Sequence, residues 1–168
     1  MRKTFLESLL HGSLTEPLPL PADAEKAALV GALDRAARRK LGRSLAIREV
    51  DAGSCNGCEL EIIALSNVFY DLERFGLKIV ASPRHADVLM VTGPVTRNME
   101  AALRLTHEAM PAPNYVVAVG DCACTGGIFP TNYACKGAVS AVIPVDLYIP
   151  GCPPDPISLL KGLISLMD

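Results

Sequence analysis

The chain contains no tryptophan, and aromatic residues make up only 5% of its 168. So thin an aromatic complement argues against a base-stacking nucleic-acid surface. Excess charge is missing too: 16 basic against 18 acidic side chains leave −2, too little to attract a polyanion. No apolar run approaches the roughly 18 residues that a membrane-spanning helix needs. The first twenty residues lack the unbroken apolar stretch of a secretory leader, because Glu7, His11 and Glu16 interrupt them. A protein made and kept in the cytoplasm is therefore expected. What is present is apolar content, 50% of residues, enough for one domain with a core rather than a disordered chain.

Six cysteines are also present. In a reducing compartment they are expected to be metal ligands or redox thiols rather than disulfides. Two of them form a C-x-x-C in Gly53-Ser54-Cys55-Asn56-Gly57-Cys58, and the others are Cys122, Cys124, Cys135 and Cys152.

Residues 1–43 read as an N-terminal arm with an amphipathic helix, and 44–168 as an α/β domain. The arm carries Leu6, Leu9, Leu10, Leu14, Leu18 and Leu20, with Pro17, Pro19 and Pro21 ending any helix. It is expected to fold back on the domain or to dock on a neighbouring subunit. Asp23 to Leu41 reads as a helix with Leu29, Leu33, Ala36, Ala37 and Leu41 on one face, capped by Asp23 and Gly42. Arg35, Arg38, Arg39, Lys40, Arg43 and Arg48 form a basic run without an acid. It reads first as a solvated face, and otherwise as a contact for anionic lipid.

Strands are expected over 44–50, 77–81, 87–92, 115–120 and 145–149. Helices are expected over Glu59–Arg74, with Leu65, Val68, Phe69 and Leu72 inward, and over Asn98–Met110. A last helix starts at Pro156, capped by Asp155, with Ile157, Leu160 and Ile164 inward. The stretch from Asp121 to about Gly137 reads as a long loop. Alternating strands and helices imply an open, mostly parallel α/β sheet with helices on both faces. Ligands of such sheets bind beyond the carboxyl ends of the strands. Cys55, Cys122 and Cys152 each follow a strand closely, so parallel strands carry them to one edge.

Four thiolates at one site suit zinc or an iron–sulfur cluster. Structural zinc favours two compact pairs, whereas here one pair meets distant single cysteines, which favours a cubane. Spacing leaves the fourth ligand open: Cys122 lies closer to the strand end, Cys124 two residues on and Cys135 deeper in the loop, with packing in the core the default reading of Cys124 and Cys135. Glu59 and Glu61, beside the C-x-x-C, either face solvent or, if buried, disfavour a reduced cluster or take up a proton as it is reduced. Arg97 reads as a surface residue or as one facing the partner interface or the cluster; His85, His107 and Glu100 read as surface or contact residues.

An ordered set of motifs then adds a resemblance. These are C-N-G-C-E-L-E at 55–61, S-P-R-H-A-D at 82–87, T-G-P-V-T-R at 92–97, V-G-D-C at 119–122, G-G-I-F at 126–129 and V-D-L-Y-I-P-G-C-P-P at 145–154. Over residues 45–168 the chain resembles the small subunit of membrane-bound, energy-converting [NiFe]-hydrogenases of the formate hydrogenlyase type. It is also similar to the 20 kDa iron–sulfur subunit of respiratory complex I. The resemblance implies a flavodoxin-like domain with one proximal [4Fe–4S] cluster on Cys55, Cys58, Cys122 and Cys152. It implies a large [NiFe]-hydrogenase-type subunit, a ferredoxin-like polyferredoxin subunit and membrane-embedded subunits as partners, at the cytoplasmic face of the inner membrane. The chain would be an oxidoreductase subunit, not catalytic alone. Cys55 and Cys58 are split by Asn56-Gly57, where quinone-linked relatives usually carry adjacent cysteines, which favours the hydrogenase branch. The alternatives are a complex I-like quinone-linked subunit, a hydrogenase-related complex lacking nickel, or a non-enzymatic zinc or thiol module.

Overall fold

The computed structural model describes residues 22–75, 77–129 and 131–167. The leucine-bearing arm and its proline-rich stretch lie outside them. A central sheet is laid down by short runs rich in β-branched and aliphatic residues: β1 (Ala46–Asp51), β2 (Lys78–Ile79), β3 (Val88–Thr92), β5 (Tyr115–Val119) and β7 (Leu147–Ile149). Their spatial order is β2-β1-β3-β5-β7, and every pairing is parallel. Read strand by strand this is the 2-1-3-4-5 winding of flavodoxin-like folds, with its switch point between the first and third strands.

Covered on both faces, the middle strands need no polar side. All five residues of β3 are buried. Alternation divides them between two cores. Ile47, Val88, Met90, Val117 and Val119 face one layer of helices; Val50, Leu89, Val91, Val116 and Ala118 face the other. On the first side lie α1 (Ala22–Leu41), α2 (Gly57–Ala64) and α5 (Pro156–Met167). On the second lie α3 (Arg97–Glu108) and the one-turn α4 (Asp121–Thr125).

Helix α1 begins at Ala22, one residue before the expected cap Asp23. It buries Val30, Leu33, Ala36 and Ala37, and packs against α5 within the same core. Burial of a side chain the size of Val or Leu contributes about 1.5–3 kcal/mol, more than any helix-propensity difference in the segment. Gly42 closes the helix at φ 71, its N–H donating to the Arg38 carbonyl at 3.0 Å. The basic run is engaged locally: Arg38 pairs with Asp34 at 2.9 Å and Arg43 with buried Asp87 at 2.6 Å, while Lys40 donates to the Leu166 carbonyl.

Three expectations change. The helix expected to run to Arg74 stops at Ala64, and Val68 and Phe69 are exposed rather than inward. Asn67 is the cause: its side-chain oxygen accepts from the N–H groups of Phe69 and Tyr70, so a side-chain turn replaces the next helical turn. The long loop after Asp121 contains α4 and a strand β6 (Cys135–Gly137), which pairs antiparallel with β4 (Val95–Thr96). The inner face of α5 is Leu159, Leu160, Leu163 and Met167, with Ile157 and Ile164 only partly covered. Asp155 caps α5 as expected, accepting from the Ser158 N–H at 2.7 Å.

Candidate metal centre

Three loops leave the carboxyl ends of β1, β5 and β7 on one rim of the sheet. Beyond β1 the Asp51 carboxylate accepts from the N–H groups of Gly53 and Ser54, both at 2.7 Å. The Ser54 hydroxyl donates to Glu59 Oε1 at 2.6 Å and accepts from the Asn56 N–H at 3.0 Å. Asn56 takes a left-handed φ of 71 before α2 begins at Gly57, so Cys55 lies on the turn and Cys58 on the first helical turn. Cys122 lies on α4, directly after β5, and Cys152 follows β7 by three residues.

The loops approach closely because glycines stand at the contacts. A Cβ on Gly120 would lie 2.5 Å from Cys58 Sγ, and one on Gly127 would lie 2.9 Å from Cys122 Sγ. Between the loops lies a cavity of about 120 Å³, lined by Cys55, Cys58, Cys122 and Cys152 with Gly93, Pro94 and Phe129. One water needs roughly 10–15 Å³ of such space, so the cavity has room for a group of several atoms. Among the described residues no three His, Cys, Asp or Glu side chains come together closely enough to hold a single metal ion. Four thiols ringing a wider hollow fit a group that offers each thiol its own metal atom.

Electrostatics link the same four residues. Burial, then Glu59, then the other three thiols push the Cys58 thiol up to about 12. Cys122 is raised by burial, then by Cys152, Cys55 and Asp121. A cationic metal core would reverse this mutual repulsion and favour the thiolates.

Cys124 and Cys135 do not line the cavity. Cys124 points at the Ala118 carbonyl, 3.5 Å away, and burial raises its thiol to about 11. Cys135 is buried in β6. Arg97 is exposed and donates to the Asn132 carbonyl at 3.2 Å, and neither His85 nor His107 reaches the cavity. Glu100 bonds Lys136 at 3.0 Å, tying α3 to β6. Of the two acids beside the C-x-x-C, Glu59 is buried and Glu61 half-buried. Sequence reasoning passed over Glu49. Its pKa is raised by burial, then by Glu59 and Asp51, against a lowering by Arg48, and its Oε1 is buried without a hydrogen-bond partner, as is Glu59 Oε2. It also passed over Asp51, although an Asp two residues before a glycine is a recognisable turn signal.

A sequence model of the NADH ubiquinone oxidoreductase 20 kDa subunit family matches residues 55–166. The chain belongs to that family. It is therefore an oxidoreductase subunit, and its matched segment contains every cysteine in the chain. A probable membrane-bound hydrogenase subunit (mbhJ) of Pyrococcus furiosus is 44% identical over 128 residues, 76% of this chain and 77% of that protein. Formate hydrogenlyase subunit 7 of Escherichia coli is 42% identical over 146 residues, covering 87% of this chain. This chain spans only 56% of that longer relative. A solved structure of the membrane-bound sulfane sulfur reductase, an archaeal respiratory membrane complex, contains a similar chain. The match has a TM-score of 0.65 and 39% identity, and covers 81% of this chain and 73% of that one. No helix among the described residues is long and apolar enough to cross a membrane.

Proposed function

We propose that this chain is the electron-transfer subunit of a membrane-associated [NiFe]-hydrogenase-type complex, holding one proximal [4Fe–4S] cluster on Cys55, Cys58, Cys122 and Cys152. The observation that carries the reading is that these four thiols, drawn from three separate loops, line one cavity on the strand-end rim. A cubane takes one thiolate per iron and exchanges single electrons without bond-making by side chains. The chain's own residues would hold that group, keep solvent from its inner side and set the local charge. Cys58, with its thiol the deeper of the C-x-x-C pair, would sit on the protein side, beside the Glu59 carboxyl and its Ser54 hydrogen bond. Cys55 and Cys152, the exposed pair, would face the partner.

Ile128 (84% exposed) and Tyr133 (92% exposed) stand on the loop that brings Phe129 to the cavity. Large apolar side chains left in water beside a site mark a docking surface, and the large hydrogenase-type subunit is the partner assigned to it. A ferredoxin-like subunit would complete the electron path, and membrane-embedded subunits would anchor the complex at the cytoplasmic face of the inner membrane. The likeness to a chain of the sulfane sulfur reductase, an archaeal respiratory membrane complex, favours a second reading, in which the partner subunit acts on sulfur rather than on hydrogen.

Iron analysis and low-temperature electron paramagnetic resonance of the anaerobically purified complex test the ligand set. Four irons attributable to this chain are expected. Cys152→Ala or Cys55→Ala should abolish the reduced-state signal of its cluster, while Cys135→Ala should leave iron and signal unchanged. Equal loss from Cys135→Ala would overturn the assignment. Hydrogen oxidation by the same complex, against sulfur or quinone reduction without it, separates the two readings of the partner.

A further inference from the structure

Strands β5 and β7 run side by side, and each is followed within three residues by a thiol of the proposed set. Their ladder does not stop where the strands do. Gly120 N–H donates to the Ile149 carbonyl at 2.8 Å, and Asp121 N–H donates to the Gly151 carbonyl at 2.8 Å. In a regular parallel ladder Gly151 N–H would donate back to the Gly120 carbonyl. That oxygen instead accepts from the Cys124 N–H at 3.0 Å as α4 begins. Asp121 Oδ1 fills the gap, accepting from Gly151 N–H at 2.8 Å. The pair Asp121 and Gly151 thus exchanges two hydrogen bonds, one through a side chain, and each residue immediately precedes a thiol, Cys122 or Cys152.

We infer that Asp121 is a positioning residue that fixes the separation of the Cys122 and Cys152 sulfurs by supplying a side-chain rung to the ladder. The inference rests on the proposed ligand set and adds to it the device that holds two of its loops in register. Without that rung, Gly151, at φ 136, is held on this side only through its carbonyl. Asp121 is exposed, so its removal leaves the hydrophobic core intact. The requirement is for an acceptor oxygen at one place, not for a negative charge. Asp121→Asn keeps the oxygen and drops the charge; Asp121→Glu keeps the charge and moves the oxygen one methylene further out; Asp121→Ala drops both.

The test uses the full chain in its complex, loaded with iron, and reads two quantities that a general loss of stability would not move together. These are the line shape of the reduced-state paramagnetic signal and the rate of iron release to a ferrous chelator. Losing that hydrogen bond is expected to speed release by up to about tenfold. Asp121→Ala and Asp121→Glu should therefore show faster release and a shifted signal, while Asp121→Asn should match the wild type. If Asp121→Ala does not accumulate as folded protein, the Asn and Glu variants decide the matter alone. Wild-type behaviour of Asp121→Glu, or perturbation of Asp121→Asn equal to that of Asp121→Glu, overturns the positioning role while wild-type protein still holds four irons. Wild-type protein without iron would instead overturn the ligand set, and the rung's role with it.

Discussion

At the scale of single residues, the rim tolerates the close approach of its loops because certain positions carry no side chain. Gly120 combines a φ of 86 with a virtual Cβ 2.5 Å from Cys58 Sγ. With ψ at 158 the backbone sits in a region essentially confined to glycine, so Gly120→Ala would add about 1–3 kcal/mol of strain and displace the thiol. The expected outcome is a folded protein that has lost most of its iron, measured as iron per chain beside its circular dichroism spectrum. Glu49 makes a different prediction. Its carboxyl is raised by burial first and then by Glu59 and Asp51, so the folded state binds its proton more tightly than the unfolded chain. Its contribution to stability is then fullest below the unfolded value and is lost as pH rises through the folded one. Glu49→Gln should raise the melting temperature at neutral pH and change it little near pH 4. A larger gain in acid would contradict this reading.

At the scale of elements, what could be read from the chain depended on how local the cause was. Strands β3 and β5 were legible because unbroken runs such as Val88-Leu89-Met90-Val91 suit a sheet covered on both faces. The start of α5 was legible because Asp155 and Pro156 act on their immediate neighbours. The end of α2 was not. Val68 and Phe69 continue a helical apolar pattern, yet the Asn67 side chain captures the backbone first. Pairing of β4 with β6 was hidden for another reason: its partners are about forty residues apart and each strand is too short to carry a pattern. In the site, the strand ends that carry Cys55, Cys122 and Cys152 to one rim were legible, whereas the lining of the cavity by Cys122 and not Cys124 depends on the winding of α4. Asp155→Ala should cost about 0.5–1 kcal/mol at neutral pH by urea denaturation. The Ser158 N–H bond, the largest cause, holds the Asp155 carboxyl below its ordinary range. That contribution is therefore present above the unfolded value and fades as pH falls through the folded one, so the penalty should shrink in acid.

At the scale of the whole molecule, the sheet has a working end and a supporting end. The cavity mouth and the exposed Ile128 and Tyr133 share the working end, so chemistry and docking are expected to be separable by mutation. Ile128→Glu should reduce recovery of the partner subunits at least tenfold, while iron bound by this chain stays the same. Iron loss matching the loss of partners would mean that the loop belongs to the socket rather than to the interface. The outermost position of β7 has one more consequence. It is the last strand laid into the sheet, and on the proposed ligand set it delivers the fourth thiol. A chain emerging from the ribosome would hold out an open jaw of three sulfurs until that edge docks, so metallation would have to wait for the sheet to be completed. Nascent chains stalled before Leu147 should accordingly surrender any iron to a mild chelator, and chains stalled with β7 and α5 fully emerged should keep it.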